Sequence, residues 1–140
     1  HGKGTAVLCG LLPGFAYVKA AVPFLPFGRG GENELSQFNT TDYDAAVREA
    51  WGTLFRDAGL SRPVVCSEPL VEPVLLKGND GRHRISLVNY SLRPLQQVRV
   101  TTAGLDYGRV IDAATGEAID ADGASFALPI EYLRVVRLEP

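Results

Sequence analysis

The sequence predicts an α+β chain in two dissimilar parts. Residues 1–68 read as the C-terminal part of an α/β domain, and residues 69–140 as a small antiparallel β-sandwich. Three observations carry this. Apolar residues fall at helical spacing between Tyr43 and Ala58. After Pro69 the apolar rhythm changes to every second residue. Turn signals then punctuate the second half at short intervals, as in all-strand domains.

In chain order, residues 5–12 form a continuous apolar run that fits a strand buried on both faces, as in a parallel sheet. Pro13-Gly14 breaks it. Residues 15–22 are short and apolar and fit a helix or a strand equally, and residues 23–33 carry enough Pro and Gly to read as a loop. Tyr43, Ala46, Val47, Ala50, Trp51, Leu54, Phe55 and Ala58 then form one stripe of an amphipathic helix, with Trp51 expected in a core. Thr41-x-x-Asp44 resembles a capping box, Gly59 suits the left-handed stop, and Pro63 prevents a return to helix. Residues 64–66 add a short strand.

In the second half, residues 71–77 are extended and contain Pro73, which suits an edge strand. Asn79-Asp80-Gly81 is a turn. Residues 84–90 alternate, as do residues 98–101. Residues 109–112 and 118–119 flank a Thr115-Gly116 turn. Asp122-Gly123 turns again before residues 126–128, and residues 133–138 close the chain. One strand and one helix cannot bury both their faces, so the first part either packs on the β part or needs further chain. The sequence has no Met and starts His1-Gly2-Lys3-Gly4, from which an excised piece of a longer protein is expected.

Of the 140 residues, 46% are hydrophobic and 21% charged, which is globular composition. The net charge of −2 and the lack of a basic run argue against nucleic acid as a partner. No apolar stretch approaches the ~20 residues that span a bilayer, so no membrane partner is expected. Cys9 and Cys66 both lie in apolar company, which favours buried thiols over a disulfide and leaves the compartment open. Asn39-Thr40-Thr41 and Asn89-Tyr90-Ser91 match the glycosylation sequon at a level chance supplies.

Few residues point to chemistry. Cys9 lacks the flanking glycines of a nucleophile elbow and an evident base, since His1 and His83 are the only histidines. Gly28-Arg29-Gly30-Gly31 lacks the Lys-Ser/Thr ending of a phosphate loop, and Asp120-x-Asp122-Gly123 lacks the other ligands of a calcium loop. No cofactor, metal site or catalytic residue is therefore expected. Sugar binding uses exposed rings as platforms, and Tyr107, between Gly104 and Gly108, and then Tyr132 are the candidates.

Several stretches carry a family resemblance. Gly2-Lys3-Gly4 followed by Gly10 resembles the final strand of the amidotransferase-like trimerisation domain of a β-galactosidase family. Residues 82–91, a hydrophobic strand ending in Asn89-Tyr90-Ser91, resemble the start of the small β domain that follows it. Val110-Ile111-Asp112-x-x-Thr115-Gly116-Glu117 resembles a hairpin of glycosidase tails, and residues 133–138 resemble their closing strand. The resemblance implies that the catalytic carboxylates lie on a separate barrel of ~250 residues, so none transfers to this chain. It implies a non-catalytic accessory region of a β-galactosidase-like glycoside hydrolase, supporting domain packing or oligomer assembly. The expected partner is the remainder of the parent polypeptide, with a second copy of the chain and carbohydrate as further candidates. A carbohydrate-binding β-sandwich and a cysteine-dependent amidotransferase-like fragment are the alternatives.

Overall fold

A computed structural model describes residues 2–4, 6–8, 10 and 44–140. The chain divides into two compact units, His1–Leu60 and Ser61–Pro140.

In the first unit, the expected strand at 5–12 is described only at Ala6, Val7, Leu8 and Gly10, all exposed and outside regular structure. Leu8 is 99% exposed. The segment 15–22, the loop 23–33, Thr41 and Cys9 lie outside the described residues. The expected helix is present as α1, Ala45–Asp57. Asp44 caps it: its Oδ1 accepts from the Val47 N–H at 3.0 Å, satisfying one of the orphan donors of the first turn. Gly59 ends it at φ +73, with Gly59 N–H donating to Arg56 O at 2.9 Å and Leu60 N–H to Phe55 O at 3.0 Å. That pair of reversed bonds is a Schellman cap, and the left-handed residue at its centre is why glycine stands there. Arg56 pairs with Glu49 one side of the helix away from the apolar stripe. No residue of α1 is buried. Trp51, expected in a core, is 38% exposed, Leu54 39% and Phe55 52%.

The second unit is a two-layered antiparallel fold that does not close into a barrel. Its strands are β1 (Val64–Cys66), β2 (Val71–Lys77), β3 (His83–Asn89), β4 (Leu95–Thr102), β5 (Arg109–Asp112), β6 (Ala118–Ile119), β7 (Ala121–Asp122), β8 (Ser125–Ile130) and β9 (Leu133–Glu139). One sheet has the order β1-β4-β8-β7 and the other β2-β3-β9-β5-β6. β1 belongs here through its pairing with β4, Val64 opposite Thr102 and Cys66 opposite Val100. β2 is an edge strand, as Pro73 requires.

Alternation explains the core. Val98, Val100, Phe126, Leu128 and Ile130 face inward from one sheet, and Ile85, Leu87, Val110, Val136 and Leu138 from the other. Each buried aliphatic side chain of this size stabilises the fold by about 1.5–3 kcal/mol. The turns follow from local chemistry. Asp80 accepts from the Arg82 N–H and pairs with the Arg84 guanidinium at 2.9 Å, while Gly81 takes φ +78. The hydrogen bond to Arg84 holds the Asp80 carboxyl down at about 2.

The β4–β8 ladder slips between Leu95, opposite Ile130, and Val98, opposite Leu128. Gln96 and Gln97 thus face the single residue Pro129, a β-bulge. Proline has no N–H to give the ladder, so the partner strand is free to carry the extra residue.

Candidate functional site

The conspicuous local structure gathers where β3 ends, around Asn89. The Asn89 side chain is almost entirely buried. Its Nδ2 donates to the carbonyls of Arg93 at 2.7 Å, Glu131 at 2.8 Å and, more weakly, Ile130 at 3.2 Å. Its Oδ1 accepts from the Ser91 N–H at 2.9 Å and the Ser91 hydroxyl at 2.6 Å. Its backbone N–H donates to Tyr132 O at 2.8 Å. One amide therefore ties the turn after β3 to the β8–β9 turn. A side chain with every polar atom engaged inside the fold is not a free glycan acceptor, so the Asn89-Tyr90-Ser91 sequon has a structural cause.

Asp112 plays the corresponding part in the β5–β6 hairpin. Its Oδ1 accepts from Ala114 N–H at 2.8 Å and Thr115 N–H at 3.0 Å, and its Oδ2 meets the Arg134 guanidinium at 2.8 Å. Burial alone would raise this carboxyl. The two backbone N–H donors and the Arg134 charge outweigh it and hold Asp112 below the usual carboxylate value.

Beside the Asn89 anchor, the bulged end of the sandwich opens into a cleft of about 550 Å³, reaching from Pro94 and Leu95 to Glu131 and Tyr132. Gln96, Pro129, Leu133 and Arg134 complete its lining. The bulge shapes it, because Gln96 and Pro129 are the residues at which β4 and β8 fall out of register. Tyr132 stands at its edge, 70% exposed. The Arg134 guanidinium is held on two sides, by Asp112 and, through Nε, by Pro129 O at 3.4 Å.

The residues singled out from sequence thus separate. Tyr132 lines the cleft. Tyr107 is half-buried, packs against the core and bonds through its hydroxyl to Thr102 Oγ1 at 3.1 Å. Thr102 gives its own proton to Ala124 O, so Tyr107 is the donor. The two flanking glycines had suggested exposure, but a tyrosine whose ring finds a core and whose hydroxyl finds an acceptor turns inward. Cys66 is free and buried, and burial pushes its thiol up to about 11. Cys9 and the Gly28-Arg29-Gly30-Gly31 stretch lie outside the described residues. Among the described residues no three His, Cys, Asp or Glu side chains group to hold a metal ion, and no helix is long and apolar enough to cross a membrane.

Gln96, Pro129, Glu131 and Arg134 were not legible as a group. The available signal was Pro129 inside an alternating strand, which marks a bulge, and bulges re-aim the side chains around them.

No family model and no curated protein matches the sequence. Two solved structures are similar to it: Gan42B, a GH42 beta-galactosidase from G. stearothermophilus, and a catalytic mutant of the same enzyme. Each is 16% identical, with a TM-score of 0.46 over 71% of this chain. This chain spans 13% of the length of either.

Proposed function

We propose that the chain is a non-catalytic accessory region of a glycoside hydrolase of the β-galactosidase type, acting in domain packing and assembly. In this reading residues 1–60 are the closing part of an amidotransferase-like α/β domain, and residues 61–140, which include β1, the small β domain after it. The observation that carries the packing role is α1. It has a defined apolar stripe and strong caps at both ends, yet buries none of its residues. A helix with Trp51, Leu54 and Phe55 on one face gains stability chiefly from covering that face. The remainder of the parent polypeptide is the proposed cover, with a second copy of the chain joining it in an oligomer.

The attribution to a glycosidase rests on the stretches around Asn89 and Asp112, which resemble those of β-galactosidase tails. Their side chains hold turns together, which suits a supporting role. Cys66 is a buried thiol of raised pKa and a poor nucleophile; the cysteine-enzyme alternative concerns Cys9, which lies outside the described residues.

The test is hydrolysis of an aryl β-galactoside by the whole encoded polypeptide, by the same polypeptide without residues 61–140, and by the 140-residue chain. The reading expects turnover by the whole polypeptide, loss of assembly or heat resistance on deletion, and no turnover by the chain alone. Turnover by the 140-residue chain, or a whole polypeptide inert towards glycosides, contradicts it.

A further inference from the structure

We infer that the cleft at the bulged end of the sandwich binds a neutral saccharide, with the Tyr132 ring as its stacking platform. The inference stands on the cleft alone and does not depend on the accessory reading.

The volume of about 550 Å³ falls within the ~300–1,000 Å³ usual for small-molecule sites. A single exposed tyrosine is common on protein surfaces; its mount here is not. The Tyr132 carbonyl accepts from the Asn89 N–H, and the two preceding carbonyls, of Ile130 and Glu131, accept from Asn89 Nδ2. The backbone of the turn that carries the ring is therefore fixed before any ligand arrives, and the ordering cost left for binding is that of the ring itself.

The surroundings select the ligand class. Pro94, Pro129 and Leu133 are the apolar residues of its lining, and Gln96, Glu131 and Arg134 are polar residues of three kinds. A carboxylate accepts, a guanidinium donates and an amide does both. A pyranose matches that mixture: it has a C–H face for the ring and a rim of hydroxyls that each donate and accept. Charge excludes the anionic options. Arg134 is neutralised by Asp112 at 2.8 Å, and Glu131 adds a negative charge, so the cleft has no surplus cation for phosphate or sulfate.

The experiment is a titration of the 140-residue chain with lactose and with cellotriose at millimolar concentration, read by amide NMR shifts. Inorganic phosphate and a lysine-rich peptide are run beside them. The inference expects sugar-induced shifts confined to residues 94–96 and 129–134. Tyr132→Ala should weaken the apparent affinity by about tenfold or more, and Tyr132→Phe, which keeps the ring, by less than about threefold. Both substitutions are at an exposed position and leave the fold in place. The inference is overturned if neither sugar shifts these amides, if the shifts lie elsewhere, or if Tyr132→Ala binds as well as the parent chain. Shifts in the cleft from phosphate or peptide but not from sugar overturn it too.

Discussion

Replacing Asn89 tests the logic of the sandwich at its most connected side chain. Asn89→Ala removes two good donated bonds, at 2.7 and 2.8 Å, and two accepted from Ser91. Donated bonds of this kind contribute about 1 kcal/mol each net, and a buried carbonyl left unpaired costs about 1 kcal/mol more. Ser91 is half-exposed and can turn to water, so its bonds are worth less. The expected loss is about 3 kcal/mol, and at about 4–8 °C per kcal/mol a domain of this size should melt more than ~10 °C lower. Asn89→Asp keeps the shape but points a carboxylate oxygen at three carbonyls. It should cost more than the alanine at neutral pH and recover towards acid pH, because repulsion raises the folded carboxyl above its unfolded value. Urea unfolding followed by circular dichroism reads the β unit; Trp51 fluorescence reports on α1. An Asn89→Ala loss below about 0.5 kcal/mol would refute the reasoning.

Further outcomes follow from single groups. Asp112→Ala should destabilise the sandwich by about 2 kcal/mol at pH 7, since it strands two turn N–H groups and the Arg134 partner. The folded carboxyl is depressed, so its contribution is present above the ordinary value near 4 and fades as pH falls below it; the gap between wild type and variant in urea midpoint should narrow in acid. Cys66 should resist iodoacetamide in the folded protein at pH 8 and react in urea, as peptide mass spectrometry would show; rapid native labelling would contradict its burial. Leu92 holds φ +60, a conformation costly for leucine, so Leu92→Gly should stabilise the fold by about 0.5–1 kcal/mol and raise the urea midpoint accordingly.

Local chemistry made much of the second unit readable. Val71–Lys77, Arg109–Asp112 and Ala118–Ile119 have the bounds their alternation and turns suggest. β4 begins at Leu95, ahead of the alternating residues 98–101, because the bulge at Gln96 and Gln97 breaks the two-residue period. β7 was hidden by the Asp122-Gly123 turn signal, which it enters directly. α1 was legible in its C-terminal cap, since Gly59 acts within a few residues of itself, but its N-cap is Asp44, three residues after the Thr41 that the capping-box pattern suggests. Its burial was not, because periodicity shows which face is apolar and not what covers it. The cleft was harder still: Tyr132 could be picked out as a ring, but Gln96, Pro129 and Arg134 meet it only through strand pairing.

Amide hydrogen exchange over α1 is the most direct test of the claim that its apolar face is built to be covered. It should be measured in the 140-residue chain and again in the whole encoded polypeptide. Slow exchange across Ala45–Asp57 in the larger protein, with fast exchange in the chain alone, is the result the account predicts. Equally fast exchange in both would mean that Trp51, Leu54 and Phe55 stay in water, and the accessory packing role would fall.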